Sequence, residues 1–312
     1  MISNKNGARR LQAYKVFAST LLSLLILIST TRTAIGGGIE QYQRHATIGG
    51  RIPVSIIIVG WSKDKKTMEK LFDVVLSKIN TVHTNLNWAN AQSEVSRVNA
   101  NAGKGPVTVS SEVLAAFQAA KKVSGWTDGA FDITYYQGPG SYRDIAIDKS
   151  NYTVELKTAG MRVNFDKIID GFLADVIVHY VYHANMHNAM VKVGSIFRGI
   201  GNGMSGPWRI QVQDDSGTFA KHALNLTVMN TGVAAVSASK YRGTSIIDPR
   251  SKSAINTPCK GVVAVMREAA LANGLAEAVF VVGPEKGKKL LSKYAKGLIV
   301  NNSGRFIRTA GF

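Results

Sequence analysis

Helical and strand patterns follow one another along this chain in an irregular order. The β-branched run at 53–61 predicts a strand, whereas apolar residues recur at helical spacing at 65–80 and at 110–126, which opens with a Ser–Glu capping pattern. The polar stretch 85–103 between those helices is predicted to be mostly loop. Because a doubly wound sheet needs strands and helices to alternate regularly, the order favours an α+β fold with mixed or antiparallel sheets and packed helices.

The second half of the chain continues this mixture. Residues 163–185 predict an amphipathic helix whose apolar stripe leaves Asp170, Ala174 and Val178 off it. Strands are predicted at 189–194, 208–213, 223–230 and 261–268, with a turn at 214–218, a helix at 269–283 and a hairpin at 296–309. No period of about 20–50 residues repeats, which argues against solenoids and propellers.

The first 36 residues differ in character from the rest. Four basic side chains precede the apolar run "VFASTLLSLLILIS", and the small residues "AIGGG" follow it. This order is typical of a secretory signal, here with cleavage after Gly36, and it leaves 37–312 as one domain. The apolar run is short for a membrane span, and an uncleaved anchor is the alternative. The sequence therefore predicts export to the periplasm or to the outer face of the inner membrane.

The formal net charge of +18 raises the question of a nucleic-acid partner. Five of the 38 basic side chains lie in the predicted signal, which has no acidic residue: Lys5, Arg9, Arg10, Lys15 and Arg32. The remaining 33 against 20 acidic side chains give +13, scattered apart from a modest cluster at 284–297, and no aromatic-and-basic stacking pattern accompanies them. A solvated helix face accounts for these charges, attraction to anionic substrates or membrane surfaces is the alternative, and no nucleic-acid partner is predicted. The single cysteine, Cys259, can form no internal disulfide.

Five short stretches carry more polar residues among apolar ones than packing requires. They are "SEVSRVN" (93–99), "TDGAFDIT" (127–134), "VNFDKIIDGFLAD" (163–175), "SIIDPRSKSA" (245–254) and "ANGLAEA" (272–278). On a helix, Asn273 and Glu277 are four residues apart and share a face, so two oxygen ligands could converge on a hard cation such as Mg²⁺. Each stretch alone has a structural explanation as a turn, a cap or a solvated face. Their order along the chain carries more information.

Together with "VSASKY" (236–241), these stretches follow the order found in the ApbE family of FAD:protein FMN transferases, which the chain resembles from about Arg44 to Ile307. The resemblance implies an ApbE-like, T-fold-related architecture. It also implies an exported, magnesium-dependent enzyme that cleaves FAD and moves the FMN half onto a Thr or Ser hydroxyl of an acceptor protein, in a membrane redox complex, with release of AMP. Such a reaction needs a cation at the pyrophosphate, a proton acceptor near the hydroxyl and a pocket for the flat flavin.

The resemblance also assigns roles to individual residues. Ser93 and Glu94 match a motif that borders the flavin pocket, while Asp248 and Ser245 fall in the segment expected to act in catalysis. The other residues expected to contact FAD are Ala130, Phe131, Asp132, Asn164, Asp170, Asp175 and Ile246. The expected magnesium site comprises Lys167, Asn273 and Glu277.

The stretch 163–175 departs most from the family pattern, which reads approximately Asp-x-Gly-Gly-x-x-Lys-Gly-aromatic-x-x-Asp. Its final glycine, aromatic residue and aspartate are kept. Asp166 and Lys167 replace the two glycines that let the backbone approach cation and phosphates, and Asp170 replaces the lysine. The last change inverts a charge expected to face phosphate, and Lys167 is the only compensation within the stretch.

Two further segments depart from the family. Ser245 stands where the family has the histidine of its His-x-x-Asp-Pro segment, which removes a natural proton acceptor. The family's metal-binding helix reads Ala-Asp-x-x-x-Thr, and here it reads Ala272, Asn273 and Glu277. An amide and a carboxylate carry the same net charge as a carboxylate and a hydroxyl, so weak metal binding is expected to survive.

Three hypotheses follow from these matches and departures. The chain is an active exported transferase with a rebuilt site and impaired transfer, a flavin-binding accessory or maturation factor for a redox complex, or a protein that kept only the fold. A rebuilt cation site requires Asp166 or Asp170 to lie close to Glu277, whereas apolar packing between them would argue against one.

Overall fold

The structure, a computed structural model, describes residues 38–61, 65–134, 138–213, 217–219, 224–241, 244–257 and 259–312. The predicted signal at 1–36 and most of the predicted turn at 214–218 lie outside these residues. Among the helices that the structure describes, none is both long enough and apolar enough to cross a membrane.

The elements follow in the order β1 (Ile39–Ile48), β2 (Ile52–Trp61), α1 (Lys65–Leu86), α2 (Glu94–Ala100), β3 (Val107–Thr108), α3 (Ser111–Trp126), β4 (Ile145–Asp148), β5 (Thr153–Leu156), α4 (Ile169–His183), β6 (Ala189–Val193), β7 (Ile196–Ile200), β8 (Trp208–Gln211), β9 (Asn225–Val228), β10 (Thr231–Ser237), β11 (Ile246–Asp248), β12 (Ser253–Ile255), β13 (Cys259–Met266), α5 (Ala269–Tyr294), β14 (Lys296–Asn301) and β15 (Phe306–Arg308).

An eight-stranded sheet in the order β1-β2-β6-β7-β10-β13-β14-β15 organises the fold, and every neighbouring pair in it is antiparallel. Three small antiparallel sheets accompany it: β3-β5-β4, β8-β9 and β11-β12. The predicted α+β fold with antiparallel sheets and packed helices is confirmed.

Both faces of the large sheet are covered, and this explains the continuous apolar runs of its central strands. On one face, Ala234 and Val236 of β10 join the main core, which includes buried residues of α1, α4 and α5. On the other face, Val233 and Ala235 pack in a second cluster with Trp208 and other residues of the β8–β9 hairpin. Successive residues of one strand therefore serve two cores.

Several details of the sequence prediction were incomplete or wrong. Strands β1, β7 and β10 of the large sheet were not predicted, and part of the polar stretch predicted as loop forms helix α2. Helix α4 is not amphipathic, because Ala174 and Val178, placed off its apolar stripe, are buried. The physical reason is that α4 packs against α1, α5, β6 and β7, so apolar neighbours surround most of it.

Helix α5 agrees with the prediction up to a kink. The predicted helix ended at Gly283, and that residue has a non-helical backbone with φ of 77°, which favours glycine. Pro284 follows, and the helix resumes to Tyr294. The basic cluster of the sequence lies on this second part.

A close junction between α4 and α5 fixes the position of both helices. A Cβ on Gly171 would lie 2.5 Å from the carbonyl oxygen of Ala269, so no side chain fits there without movement. One turn later, the Asp175 carboxylate accepts hydrogen bonds from the N–H groups of Ala269 (3.0 Å) and Ala270 (2.8 Å) and pairs with Arg198 Nε (2.9 Å). The first turn of α5 is thus capped by a side chain from α4.

We predict that Gly171→Ala lowers the free energy of unfolding by about 1–3 kcal/mol, because the added methyl group overlaps the backbone of Ala269. The matched control is Gly125→Ala in α3, where an added Cβ meets no atom within 4 Å. That change should be neutral or stabilising by up to about 1 kcal/mol. Urea unfolding followed by circular dichroism measures both, and a wild-type midpoint for Gly171→Ala would contradict the tight junction.

Candidate functional site

The first three polar stretches are joined by direct hydrogen bonds. The Asn99 side chain accepts the N–H of Val163 (2.8 Å) and donates to the Val163 carbonyl (3.0 Å), which joins 93–99 to 163–175. The N–H of Asn164 donates to the carbonyl of Ile133 (2.9 Å), which joins 127–134 to the same stretch.

The other two stretches adjoin them. The N–H of Gly171 donates to Asn273 Oδ1 at 3.3 Å, which links 163–175 to helix α5. Arg250 packs beside Gly129, since a Cβ on Gly129 would lie 3.6 Å from Arg250 Cγ. Stretches that are far apart in the sequence therefore form one continuous region of the fold.

The predicted pair Ser93 and Glu94 orders the start of α2. Ser93 is fully buried, and its Oγ accepts the N–H of Ser96 (3.0 Å) as a helix cap. The Glu94 carboxylate accepts hydrogen bonds from Asn85 Nδ2 (2.9 Å) on α1 and from the N–H of Ser110 (2.6 Å) before α3. These contacts tie three helices together, and flavin contact by this pair stays a prediction.

Ala130, Phe131 and Asp132 form a buried corner. The Phe131 ring is buried in the main core, and flavin contact by this residue stays a prediction. Asp132 accepts hydrogen bonds from the N–H groups of Thr134 (2.9 Å) and Tyr142 (2.8 Å). Burial raises the pKa of Asp132, and the two N–H donors oppose that change. Through these hydrogen bonds, Asp132 fixes the backbone at Thr134 and Tyr142.

Asn164 holds Asp166 in place at the start of the helix-opening stretch. The buried Asn164 side chain accepts the N–H of Asp166 (2.7 Å) and donates to its Oδ2 (2.9 Å). Trp88 Nε1 also donates to that oxygen at 3.3 Å. Asp166 itself is exposed, so its carboxylate faces solvent from a fixed position.

A charged corner, defined by Asp166, Lys167, Asp170, Lys240 and Glu277, lies where this stretch meets α5. The Lys240 ammonium lies 2.7 Å from Glu277 Oε1, and the Tyr241 hydroxyl donates to Glu277 Oε2. The Glu277 side chain is 1% exposed, whereas that of Lys240 is 41% exposed. A fully buried carboxylate is thus paired with the ammonium of a lysine whose side chain is partly exposed.

The pKa values show that these charges interact. Burial raises the pKa of Asp170, Glu277 and Asp166 add to the rise, and Lys240 opposes it. Burial lowers the pKa of Lys167, against the attraction of Glu277. Burial also acts to lower the pKa of Lys240, but Glu277 raises it above its ordinary value. Asp170 and Glu277 therefore feel each other's charge, and in this structure the Lys240 ammonium is the cation that pairs with Glu277.

The residues expected to bind Mg²⁺ do not fit it while the Lys240 ammonium is paired with Glu277. Mg²⁺ requires about six oxygen ligands at about 2.0–2.1 Å in near-octahedral geometry. Both oxygens of Glu277 accept hydrogen bonds, and Asn273 Oδ1 accepts the Gly171 N–H. The side-chain ammonium of a protonated Lys167 has no lone pair to offer a metal. Within the described residues, no three His, Cys, Asp or Glu side chains are grouped as a metal site.

The predicted catalytic pair lies at strand β11. Arg250 donates to Asp248 Oδ1 through its backbone N–H and Nε (both 2.9 Å) and to Oδ2 through Nη2 (2.6 Å). These bonds hold the pKa of Asp248 below its ordinary value, so Asp248 is ionised near pH 7 and a weak proton acceptor. Ser245 is exposed beside it and Ile246 between them is buried, and flavin contact by Ile246 stays a prediction.

Three residues of the site were missing from the sequence prediction: Lys240, Tyr241 and Arg250. The first two end the "VSASKY" stretch, directly after the buried strand β10. A lysine directly after an apolar strand could have indicated a charge held in a fixed position. Its partner, Glu277, lies 37 positions away in the sequence, so the sequence pattern could not identify the pair.

A surface cleft of about 1100 Å³ includes only Asp175 among the predicted site residues. Its lining contains five basic side chains, Lys121, Lys122, Lys149, Arg198 and Arg267. The Asp175 carboxylate pairs with Arg198 and caps α5. These contacts explain the presence of this carboxylate, and no bound ligand is needed to do so.

These features define an α+β protein with a charged, loop-built site at the junction of two helices. The ApbE family model matches residues 51–139 and 138–300. The match spans most of the chain, and the chain therefore belongs to the ApbE family.

Individual relatives agree with this assignment. An FAD:protein FMN transferase of Vibrio cholerae is 24% identical over 302 residues, which cover 86% of this chain and 87% of that protein. One of Treponema pallidum is 29% identical over 159 residues, or 46% of this chain and 44% of the relative. Among solved structures, the flavin transferase ApbE from Vibrio cholerae has a TM-score of 0.72 at 21% identity over 88% of this chain and 98% of its own. The apo form of Pseudomonas stutzeri flavinyl transferase ApbE has a TM-score of 0.77 at 19% identity, over 89% of this chain and 97% of its own. The structural likeness shows the shared fold.

We predict that Arg250→Met raises the pKa of Asp248 toward the ordinary aspartate value near ~3.9, because the charged partner that favours the carboxylate is removed. Carbon-detected NMR titration of the aspartate carboxyl groups measures the shift. The control is Arg44→Met, which removes an exposed arginine paired with Asp73 and should leave Asp248 unchanged. An unchanged Asp248 titration in Arg250→Met would show that the pair does not control this carboxylate.

Proposed function

We propose that this chain is an exported flavin transferase that binds FAD and transfers its FMN half to a Thr or Ser hydroxyl of an acceptor protein, with impaired transfer. The observation that carries the proposal is the convergence of the five separated stretches into one region, in a chain that matches the family model at 51–139 and 138–300. The names of the relatives supply the reaction.

The charged corner would receive the phosphates of FAD. Lys167 and Lys240 contribute positive charge there, and Asp166 and Asp170 oppose it. A ligand with two phosphate charges is therefore held less strongly than at a corner with more cations. Magnesium dependence, expected from the resemblance, is left out of the proposal because the ligand set does not fit Mg²⁺.

The transfer step is a phosphoryl-type displacement. The acceptor hydroxyl oxygen forms a bond to the FMN phosphorus, the bond from that phosphorus to the bridging oxygen breaks, and AMP leaves with the bridging oxygen. The hydroxyl proton must pass to a base. Ser245 is a poor base and Asp248 is held by Arg250, so slow proton removal is the expected cause of impairment.

The second candidate function is a flavin-binding accessory or maturation factor that does not transfer FMN. The Asp248–Arg250 pair favours it, because this geometry ties up the carboxylate that lies nearest in sequence to Ser245. For either function we propose export by the basic and apolar leader, a location in the periplasm or at the outer face of the inner membrane, and an acceptor or client in a membrane redox complex.

The decisive experiment incubates the purified protein with FAD and a peptide that carries the family's flavinylation motif. Covalent FMN on the peptide, detected by mass spectrometry together with released AMP, supports the transferase. Bound FAD without transfer supports the accessory role. No FAD binding at micromolar protein contradicts both.

We predict that Ser245→His increases the transfer rate by about tenfold or more at pH 7–8, because a neutral imidazole supplies the missing proton acceptor. The rate of the variant should rise with pH through the imidazole pKa. Thr244→His is the matched control, since Thr244 is the exposed neighbour of Ser245, and it should not increase the rate. Equal rates for wild type and Ser245→His would show that proton removal does not limit transfer at this position.

A further inference from the structure

We propose that the Lys240 ammonium, held by Glu277, replaces a divalent cation in this protein, so that the charged corner binds phosphate groups without Mg²⁺. The ligand class, a nucleotide pyrophosphate, rests on the proposed function. The replacement of metal by ammonium rests on the geometry of the corner alone.

The first support is the position of the ammonium. Lys240 Nζ lies 2.7 Å from Glu277 Oε1, at the carboxylate that the sequence marked as a metal ligand. A divalent cation bound to the same oxygen would lie within a few ångströms of a like charge, which is unfavourable. The site can hold either the ammonium or the metal at that oxygen.

The second support is the state of the remaining oxygens. The Tyr241 hydroxyl donates to Glu277 Oε2, and Asn273 Oδ1 receives the N–H of Gly171 at the helix junction. A metal ion at these oxygens would have to share them with the internal donors and displace the ammonium from Glu277. The corner is therefore already satisfied by internal donors.

The third support is the exposure and donor capacity of Lys240. An ammonium has three N–H donors, and among the described residues Lys240 spends one of them on Glu277. Its side chain is 41% exposed, whereas Glu277 is 1% exposed. The buried Glu277 carboxylate holds the ammonium in place, and two N–H donors of Lys240 are left for the oxygens of an incoming phosphate.

The test begins without any flavin. Mn²⁺, which can be followed by electron paramagnetic resonance, is titrated into wild type, Lys240→Ala and the double variant Lys240→Ala, Glu277→Gln. Wild type should leave Mn²⁺ free at micromolar concentrations, Lys240→Ala should bind it at least about tenfold more tightly, and the double variant should lose that gain. Lys288→Ala, an exposed lysine on the same helix as Glu277, is the control and should behave as wild type.

Two results of this titration would overturn the proposal: tight Mn²⁺ binding by wild type that Glu277→Gln abolishes, or no gain of binding in folded Lys240→Ala. Lys240→Arg is a second test in case the alanine variant misfolds. It keeps the positive charge and should therefore give the same Mn²⁺ result as wild type. Circular dichroism establishes which variants are folded.

The second arm measures FAD binding to wild type by fluorescence, in excess EDTA and in millimolar Mg²⁺. The dissociation constant should differ by less than about twofold, and a tenfold gain from Mg²⁺ would overturn the proposal. If FAD does not bind under either condition, the proposed function fails, while the Mn²⁺ titration still decides whether the ammonium has replaced the metal.

Discussion

The junction of α4 with α5 is the contact on which the site depends. Gly171 lets the two helices approach until backbone meets backbone, and Asp175 caps the first turn of α5. This approach places Asn273 and Glu277 beside the start of α4, where Asp166, Lys167 and Asp170 project. The same stretch of sequence thus sets the packing of the core and the position of the charges.

In the charged corner, the kind of cation that pairs with Glu277 determines which side chains can surround it. A carboxylate buried as deeply as Glu277 needs a positive partner, because an unpaired buried charge is costly. A metal ion or an ammonium can meet that need, and here Lys240 does so with help from Tyr241. An ammonium carries one charge and requires no octahedral ligand set, so it tolerates an asparagine at 273 and charged side chains at 166 and 170.

Much of the fold could be predicted from the sequence, and the failures have physical causes. Helical spacing predicted α1 and α3, because one face of each is apolar. The first part of α5 was also predicted as a helix, although it is buried on all sides. Strand β1 was missed because its sequence, "IEQYQRHATI", alternates weakly and nine of its ten residues stay at least partly exposed at the sheet edge. Helix α2 was missed because its polar residues are used for caps and contacts to other segments, which local propensity does not reveal.

By itself, the sequence determined the class of fold, the order of the six motifs and the family, since each depends on local pattern or on residue identity. It also showed that Asp170 and Ser245 replace residues with other charges or proton affinities. Only the tertiary structure decided that Lys240 reaches Glu277 and that Arg250 holds Asp248. Side-chain charges act through space over a few ångströms, and the distance between residues 37 positions apart is set by the packing of strand β10 against helix α5 rather than by their spacing in the chain.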